Sequence, residues 1–216
     1  MKKIMLMILA LCLMLTMVAC GTQGTASSQT TVTTQTGSDG VASGVELLDE
    51  NVTYYADIEI ADYGTITVQL DQSAAPITAA NFVSLAKSGF YDGLTFHRIM
   101  SGFMMQGGDP KGNGTGGSDV KIKGEFAANG HKNPISHERG VISMARSRAY
   151  DSASSQFFIM HADYTGLDGQ YAAFGRVTEG LEVVDAVCAA AKPTDNNGSI
   201  AKENQPVIVS VTIREE

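Results

Sequence analysis

Phe96-His97-Arg98-Ile99-Met100-Ser101-Gly102-Phe103-Met104-Met105-Gln106-Gly107-Gly108-Asp109 is the stretch on which the fold turns. It reads as two short strands separated by Ser101-Gly102, a pair suited to a turn. The two strands lie side by side and carry Arg98, Phe103 and Gln106. Strict alternation sends Phe103 and Met105 to one face and Met104 and Gln106 to the other, unless a bulge at Gly102 shifts the register. Pattern alone leaves open which face is functional.

Outward from this pair, the chain upstream shows period-two alternation. Ile58 and Ile60 precede a turn at Asp62-Tyr63-Gly64, and Ile66, Val68 and Leu70 follow it, which is a β-hairpin. Residues 76–88 read as a helix with Pro76 early, Ile77, Phe82, Leu85 and Ala86 at helical spacing, and Gly89 beyond its end. Residues 181–191 read as a second, with Val184, Val187 and Cys188 on one side. Further strands are predicted over residues 95–100, 103–107, 140–145, 156–161, 172–177 and 207–213. Eight short strands, Gly-rich turns and two helices point to a mainly β fold. The expected form is a closed eight-stranded antiparallel barrel capped by two α-helices, because closure leaves no strand edge unpaired. No repeat of 20 to 50 residues is visible, which excludes solenoids and propellers.

The ends of the chain set the expected domain organisation. Residues 1–19 read as an export signal, with Lys2 and Lys3 ahead of an apolar run from Ile4 to Val18. That run is shorter than the roughly 20 residues of a spanning helix. Met17-Val18-Ala19-Cys20 is similar to a lipobox, which makes Cys20 the expected site of lipidation and the mature N-terminus. Residues 20–50 form the lipidated Cys20 and a tether; from Gly21 to about Gly44 the composition is nearly all Gly, Ser, Thr, Gln and Ala. A coil of about 24 residues spans roughly 25 to 30 Å. Residues 51–216 make the folded domain, held on the outer face of a bacterial cell membrane. With Cys12 in the signal and Cys20 lipidated, Cys188 has no disulfide partner and reads as a small buried apolar residue. The chain carries 15 basic and 23 acidic residues for a net charge of −8, and loss of Lys2 and Lys3 takes it to −10. That charge argues against nucleic acid as a partner.

The stretch from Phe96 to Asp109 resembles the signature of the cyclophilins, close to Phe-His-Arg-Ile-x-x-Gly-Phe-x-x-Gln-Gly-Gly-Asp. Asn113-Gly114-Thr115-Gly116-Gly117, Ile142-Ser143-Met144-Ala145, Ser155-Gln156-Phe157-Phe158-Ile159, Leu167-Asp168-Gly169 and Phe174-Gly175 continue the resemblance in the family's order, from about Tyr54 to Ile213. It implies a peptidyl-prolyl cis-trans isomerase working without cofactor on proline-containing, unfolded or flexible polypeptides. By the resemblance Arg98 is the catalytic guanidinium, Gln106 its polar partner, and Phe103, Met104, Phe158 and Leu167 the proline pocket. Gly114, Ala145 and Gln156 line the groove, Arg146, Gly166 and Tyr171 sit at its rim, and Ser147 is a further substrate-binding residue. Arg146, Gly166 and Tyr171 stand where the eukaryotic pattern has Asn, Trp and His. The missing indole at Gly166 implies weak or no cyclosporin binding.

Other chemistries find less support. Gly112, Gly114 and Gly117 formally fit a dinucleotide fingerprint, but no amphipathic helix follows and no βαβ unit surrounds them. His97, His131, His137 and His161 show no metal-ligand spacing, so no metal is expected. Ser143, Ser154 and Ser155 lack a nucleophile elbow. Asn51-Val52-Thr53 and Asn197-Gly198-Ser199 match the glycosylation pattern and read as loops. A monomer is expected. The rival to an enzyme is a binding or chaperone module that uses the same groove for docking, with isomerisation incidental.

Overall fold

The computed structural model describes residues 45–216. The signal, Cys20 and the tether up to residue 44 lie outside the described residues. Packing reaches back before residue 51: Val45 and Leu48 lie partly buried against the core, and the Gln72 side-chain amide donates to the carbonyls of Asp49 (2.8 Å) and Val52 (3.0 Å).

The strands are β1 (Tyr54–Ile60), β2 (Gly64–Leu70), β3 (Arg98–Met100), β4 (Met104–Gly107), β5 (Val141–Met144), β6 (Phe157–Met160), β7 (Ala173–Glu179) and β8 (Ile208–Glu215). Helix α1 (Pro76–Lys87) lies between β2 and β3, and α2 (Leu181–Ala190) between β7 and β8. All eight strands join one antiparallel sheet in the order β3-β4-β6-β5-β7-β2-β1-β8.

Closure is more limited than the sequence pattern suggests. Between the outermost strands β3 and β8 the contact is a single bridge at their entrance, Thr95–Val207. It is flanked by Phe96 N–H to the Pro206 carbonyl (2.9 Å) and Ile208 N–H to the Leu94 carbonyl (2.8 Å). The physical reason is that the outer edge of β3 is taken by another segment. Ile99 N–H donates to the Gly198 carbonyl (2.8 Å), and Ile200 N–H to the His97 carbonyl (3.0 Å). The sheet curls, and the 197–200 segment seals the edge that β8 leaves open.

Pleating then sorts adjacent side chains. Ile99, Met105, Phe157, Ile159, Ile142, Met144 and Phe174 enter the main core, where Phe82 of α1 packs on Tyr91, Phe157 and Phe174 with ring centroids 5.1 to 5.5 Å apart. The buried face of α1 is Ala79, Phe82, Val83 and Ala86, while Ile77 and Leu85, counted in the helical stripe from sequence, are only partly covered. The α2 face is Val183, Val184, Val187 and Cys188, and burial pushes the Cys188 thiol up to about 12. The opposite sheet face carries a second, smaller apolar cluster of Met104, Val141, Phe158, Met160 and Ala173.

Candidate active site

That second cluster forms the floor of the site. Register aligns Arg98 with Gln106, Gln106 with Phe158, and Phe158 with Ser143, in one row across β3, β4, β6 and β5. Residues of one row share a face, so a guanidinium, an amide and an aromatic ring come together although 60 residues of chain separate the first from the last. Phe103 reaches the same face as its neighbour Met104 because it sits in the turn before β4. Gly102 holds φ +79, a left-handed value that glycine tolerates, and Phe103 N–H closes the turn on the Met100 carbonyl at 2.9 Å. The face left open by alternation is thereby decided: Phe103, Met104 and Gln106 lie on the site side, Met105 in the core.

A cavity of about 150 Å³ opens on this floor, lined by Arg98, Phe103, Met104, Gln106, Ala145, Arg146, Phe158, Leu167 and Tyr171. Gln156 joins it through Gln106. Gly114 lies elsewhere, lining a neighbouring cavity that also shares Arg98 and Gln106. Ser147 is exposed beyond the rim, and its amide and hydroxyl bond the Ser152 hydroxyl at 3.0 and 2.8 Å.

Arg98 is held on two sides. Its Nε donates to the Asn197 carbonyl at 2.7 Å and its Nη1 to Gln106 Oε1 at 3.2 Å. Its Nη2 meets only the thioether of Met100, at 3.3 Å, so hydrogen-bonding capacity remains on the cavity side. Burial holds the Arg98 pKa below its ordinary value, with Tyr171 and Asp195 pushing back, and a guanidinium stays charged at neutral pH all the same. Gln106 Nε2 donates to Gln156 Oε1 at 2.9 Å, and Gln156 Nε2 to the Gly116 carbonyl at 2.7 Å. This relay of donors fixes the orientation of both amides and turns an oxygen toward Arg98.

The far wall is set by a lock around the buried ring of His137. His137 places Nδ1 2.9 Å from Asp168 Oδ1 and Nε2 3.0 Å from Ser143 Oγ. Burial lowers the His137 pKa against the pull of Asp168, so the ring is neutral. Nδ1–H donates to the carboxylate, and Nε2 accepts from the serine hydroxyl. Burial alone would raise the pKa of Asp168, but bonds from Ser136, the His137 amide and the His137 ring outweigh it and hold the carboxyl below its ordinary value. The lock ties the 3-10 turn Thr165–Leu167 to β5 and sets Leu167 against the pocket. His137 also stacks on Phe158 at 6.0 Å, and Phe158 meets Tyr171 edge-on at 5.8 Å.

Arg146 closes the rim. Its Nε and Nη2 donate to the Gln170 carbonyl at 3.0 and 2.8 Å, and its guanidinium lies 4.6 Å from the Tyr171 ring centroid, with Phe126 and Tyr150 at 5.1 and 5.2 Å. Beside Gly166, where an indole is absent, the ring of Tyr164 occupies the space that a Cβ would enter, 3.0 Å away, and meets Phe103 edge-on at 5.2 Å. Sequence reasoning missed Tyr164, Met100 and Asn197 as neighbours of the site. Asn197 acts through its backbone carbonyl, 99 residues from Arg98, and no side-chain pattern marks such a partner.

Residues 55–213 match the family profile described as cyclophilin type peptidyl-prolyl cis-trans isomerase. A peptidyl-prolyl cis-trans isomerase of Helicobacter pylori is 47% identical over 137 residues, covering 62% of this chain and 81% of that one. Peptidyl-prolyl cis-trans isomerase B of Bacillus subtilis is 44% identical over 144 residues, covering 67% and 92%. Among solved structures, a cyclophilin type isomerase of Cryptosporidium parvum, determined in the presence of the dipeptide Ala-Pro, superposes with a TM-score of 0.65 at 29% identity, covering 75% of this chain and 99% of that one. With a match that reaches all eight strands and spans both helices, the chain belongs to the cyclophilin type peptidyl-prolyl cis-trans isomerase family.

Proposed function

We propose that this isomerase accelerates rotation about X-Pro bonds of exported or surface polypeptides by donating a hydrogen bond from Arg98 to the prolyl nitrogen beside the apolar pocket. The observation that carries the reading is the state of Arg98: pinned by Asn197 and Gln106, yet with Nη2 facing only sulfur at the cavity wall. The cavity of about 150 Å³ is of a size for a pyrrolidine ring, with Phe103, Met104, Phe158 and Leu167 as its walls. The Cryptosporidium relative, solved in the presence of Ala-Pro, supports a proline-containing ligand.

The barrier to peptide-bond rotation is about 18 to 20 kcal/mol because the nitrogen lone pair is delocalised into the carbonyl. X-Pro isomers exchange over roughly tens to hundreds of seconds unaided. Turnover of about 10 to 10³ per second needs roughly 4 to 7 kcal/mol off the barrier. As the bond twists, the nitrogen becomes pyramidal and basic, so Arg98 bonds the twisted state more strongly than the planar one. A charge-assisted bond contributes about 1.5 to 3 kcal/mol. The water-poor pocket, which favours the less polar twisted amide, contributes the remainder. Gln106 and the pocket walls hold the ring while the preceding carbonyl swings.

A proline-isomerisation assay on short Ala-Pro and Gly-Pro peptides tests this directly. Arg98→Ala should lower kcat by about 10- to 150-fold at matched peptide affinity. Unchanged turnover would overturn the assignment of Arg98 as the donor.

The location reading adds that Cys20 carries a diacylglycerol anchor on the outer face of the cell membrane, with the domain close to its exported substrates. Palmitate labelling should vanish in Cys20→Ser, and labelling that persists there rules the anchor out. Cyclosporin binds weakly on this reading because no indole stands at Gly166. Titration of wild type beside Gly166→Trp checks it, with tighter binding expected in the variant once Tyr164 moves aside.

A further inference from the structure

Beside the pocket lies a second, wider cavity of about 850 Å³ that shares Arg98 and Gln106 with it and is lined besides by Lys111, Lys202, Asn113, Asn197, Ser199 and His97. Its character runs against that of the whole chain, which is net negative by 8. Lys111 and Lys202 are exposed and, like several other surface lysines, make no ion pair within 4.0 Å among the described residues; what sets these two apart is that they line one cavity together with Arg98. The nearby carboxylates are already saturated. Asp109 accepts from the amides of Lys111 (2.8 Å), Asn113 (3.1 Å) and Gly114 (2.6 Å). Asp195 accepts from the amides of Asn197 (2.9 Å) and Ser199 (3.0 Å) and from the Ser199 hydroxyl (2.8 Å).

A second observation points to a missing ligand. His97 is 5% exposed, and both its ring nitrogens are buried without a hydrogen-bond partner among the described residues. A buried polar group left without a partner is rare. The Gly114 loop lies against the ring: a Cβ on Gly114 would stand 3.6 Å from Nε2, and His97 and Gly114 line the same cavity. Free cations and an unpartnered imidazole beside the Gly114 loop together form a receptor for negatively charged oxygen.

We propose that this cavity binds an anionic group, a carboxylate or a phosphate, carried by the substrate polypeptide within a few residues of the proline held at Arg98. The inference rests on the isomerase reading of the groove, because the two cavities meet at Arg98 and Gln106. It adds a substrate class: acidic or phosphorylated proline segments are captured in preference to neutral ones.

The test uses the full-length protein in a nonionic detergent and pairs of fluorescent proline peptides. One series differs by Gln→Glu and another by Ser→phosphoserine, one position at a time, from two residues before the proline to three after it. Affinity is read by fluorescence anisotropy and turnover by the isomerisation assay. At one or two positions the anionic peptide should bind about threefold to tenfold tighter, and the gain should shrink as salt is raised. The gain should disappear in Lys111→Gln/Lys202→Gln. A gain with Glu assigns carboxylates, and one with phosphoserine alone assigns phosphates. Equal affinity at every position, or a gain that survives the double substitution, overturns the proposal. Because binding is read separately, absent turnover with an intact charge preference would remove the isomerase role of Arg98 and leave the anion site standing.

Discussion

At Arg98 the fork of five N–H donors is used unevenly. Two nitrogens are spent on holding the side chain, against Asn197 and Gln106, and the third is kept from any strong acceptor. On the proposed mechanism, that division turns a residue which would read, in isolation, as a salt-bridge partner into the donor to the prolyl nitrogen. Its steadiness depends on Gln106, whose amide is oriented in turn by Gln156 and the Gly116 carbonyl. Gln156→Leu leaves Gln106 Nε2 and the Gly116 carbonyl without these partners and lets the Gln106 amide turn its nitrogen toward Arg98. Loss of a hydrogen bond of about 1 to 1.5 kcal/mol should lower kcat/KM by about fivefold to tenfold while the urea midpoint moves little. Wild-type kcat/KM in this variant would show that Gln106 needs no support. Arg98, Gln106 and Gln156 were legible from the motif; their mutual bonds were not, because alternation gives a face and not a partner.

At the scale of elements, α1 illustrates how a local signal can be answered from far away. Pro76 marks its start, yet Ala75 provides no side-chain cap. The orphan amides are met by Glu125, about 50 residues on, whose carboxylate accepts from Ile77 N–H (3.0 Å), Thr78 N–H (2.8 Å) and the Thr78 hydroxyl (2.7 Å). Glu125 is itself buried, and its negative charge complements the positive end of the helix. Glu125→Ala should cost about 2 to 4 kcal/mol, seen as a lower urea midpoint at constant m-value. A loss under about 0.5 kcal/mol would mean water replaces the carboxylate without penalty. The 197–200 segment plays the corresponding part at β3. Gly198 holds φ +87, and a Cβ there would stand 2.5 Å from the Met100 side chain and 2.8 Å from the Ile99 carbonyl. Only glycine lets this segment approach closely enough to bring the Asn197 carbonyl to Arg98.

For the whole molecule, two buried imidazoles set the response to acid. His97 and His137 have pKa values held below 6.5, in both cases chiefly by burial. The unfolded chain binds a proton at each site more readily than the folded one, so their contribution is complete above about pH 6.5 and is lost as pH falls toward the folded values. Asp109 and Asp168 are held below 3.8 by hydrogen bonds that outweigh burial, and their contribution is lost only in stronger acid. Thermal melts should therefore show Tm level between about pH 8 and 7 and falling between about pH 6.5 and 5, before the carboxylates begin to titrate. A Tm unchanged down to pH 5 would contradict neutral, buried imidazoles.

Strand and helix positions follow from periodicity because a half-buried sheet demands alternation and a packed helix demands an apolar stripe; β1, β2, α1 and α2 announce themselves within a few residues of their observed ends. The site side chains were named by the motif from Phe96 to Asp109 and its companions. Other features belong to tertiary structure alone: the face on which Phe103 and Met104 meet, the edge of β3 closed by Gly198 rather than β8, the Glu125 cap and the His137–Asp168–Ser143 lock. The last three join groups distant along the chain and are settled by which partner a polar group can reach once the sheet has curled, whereas the common face of Phe103 and Met104 is settled by the left-handed turn at Gly102.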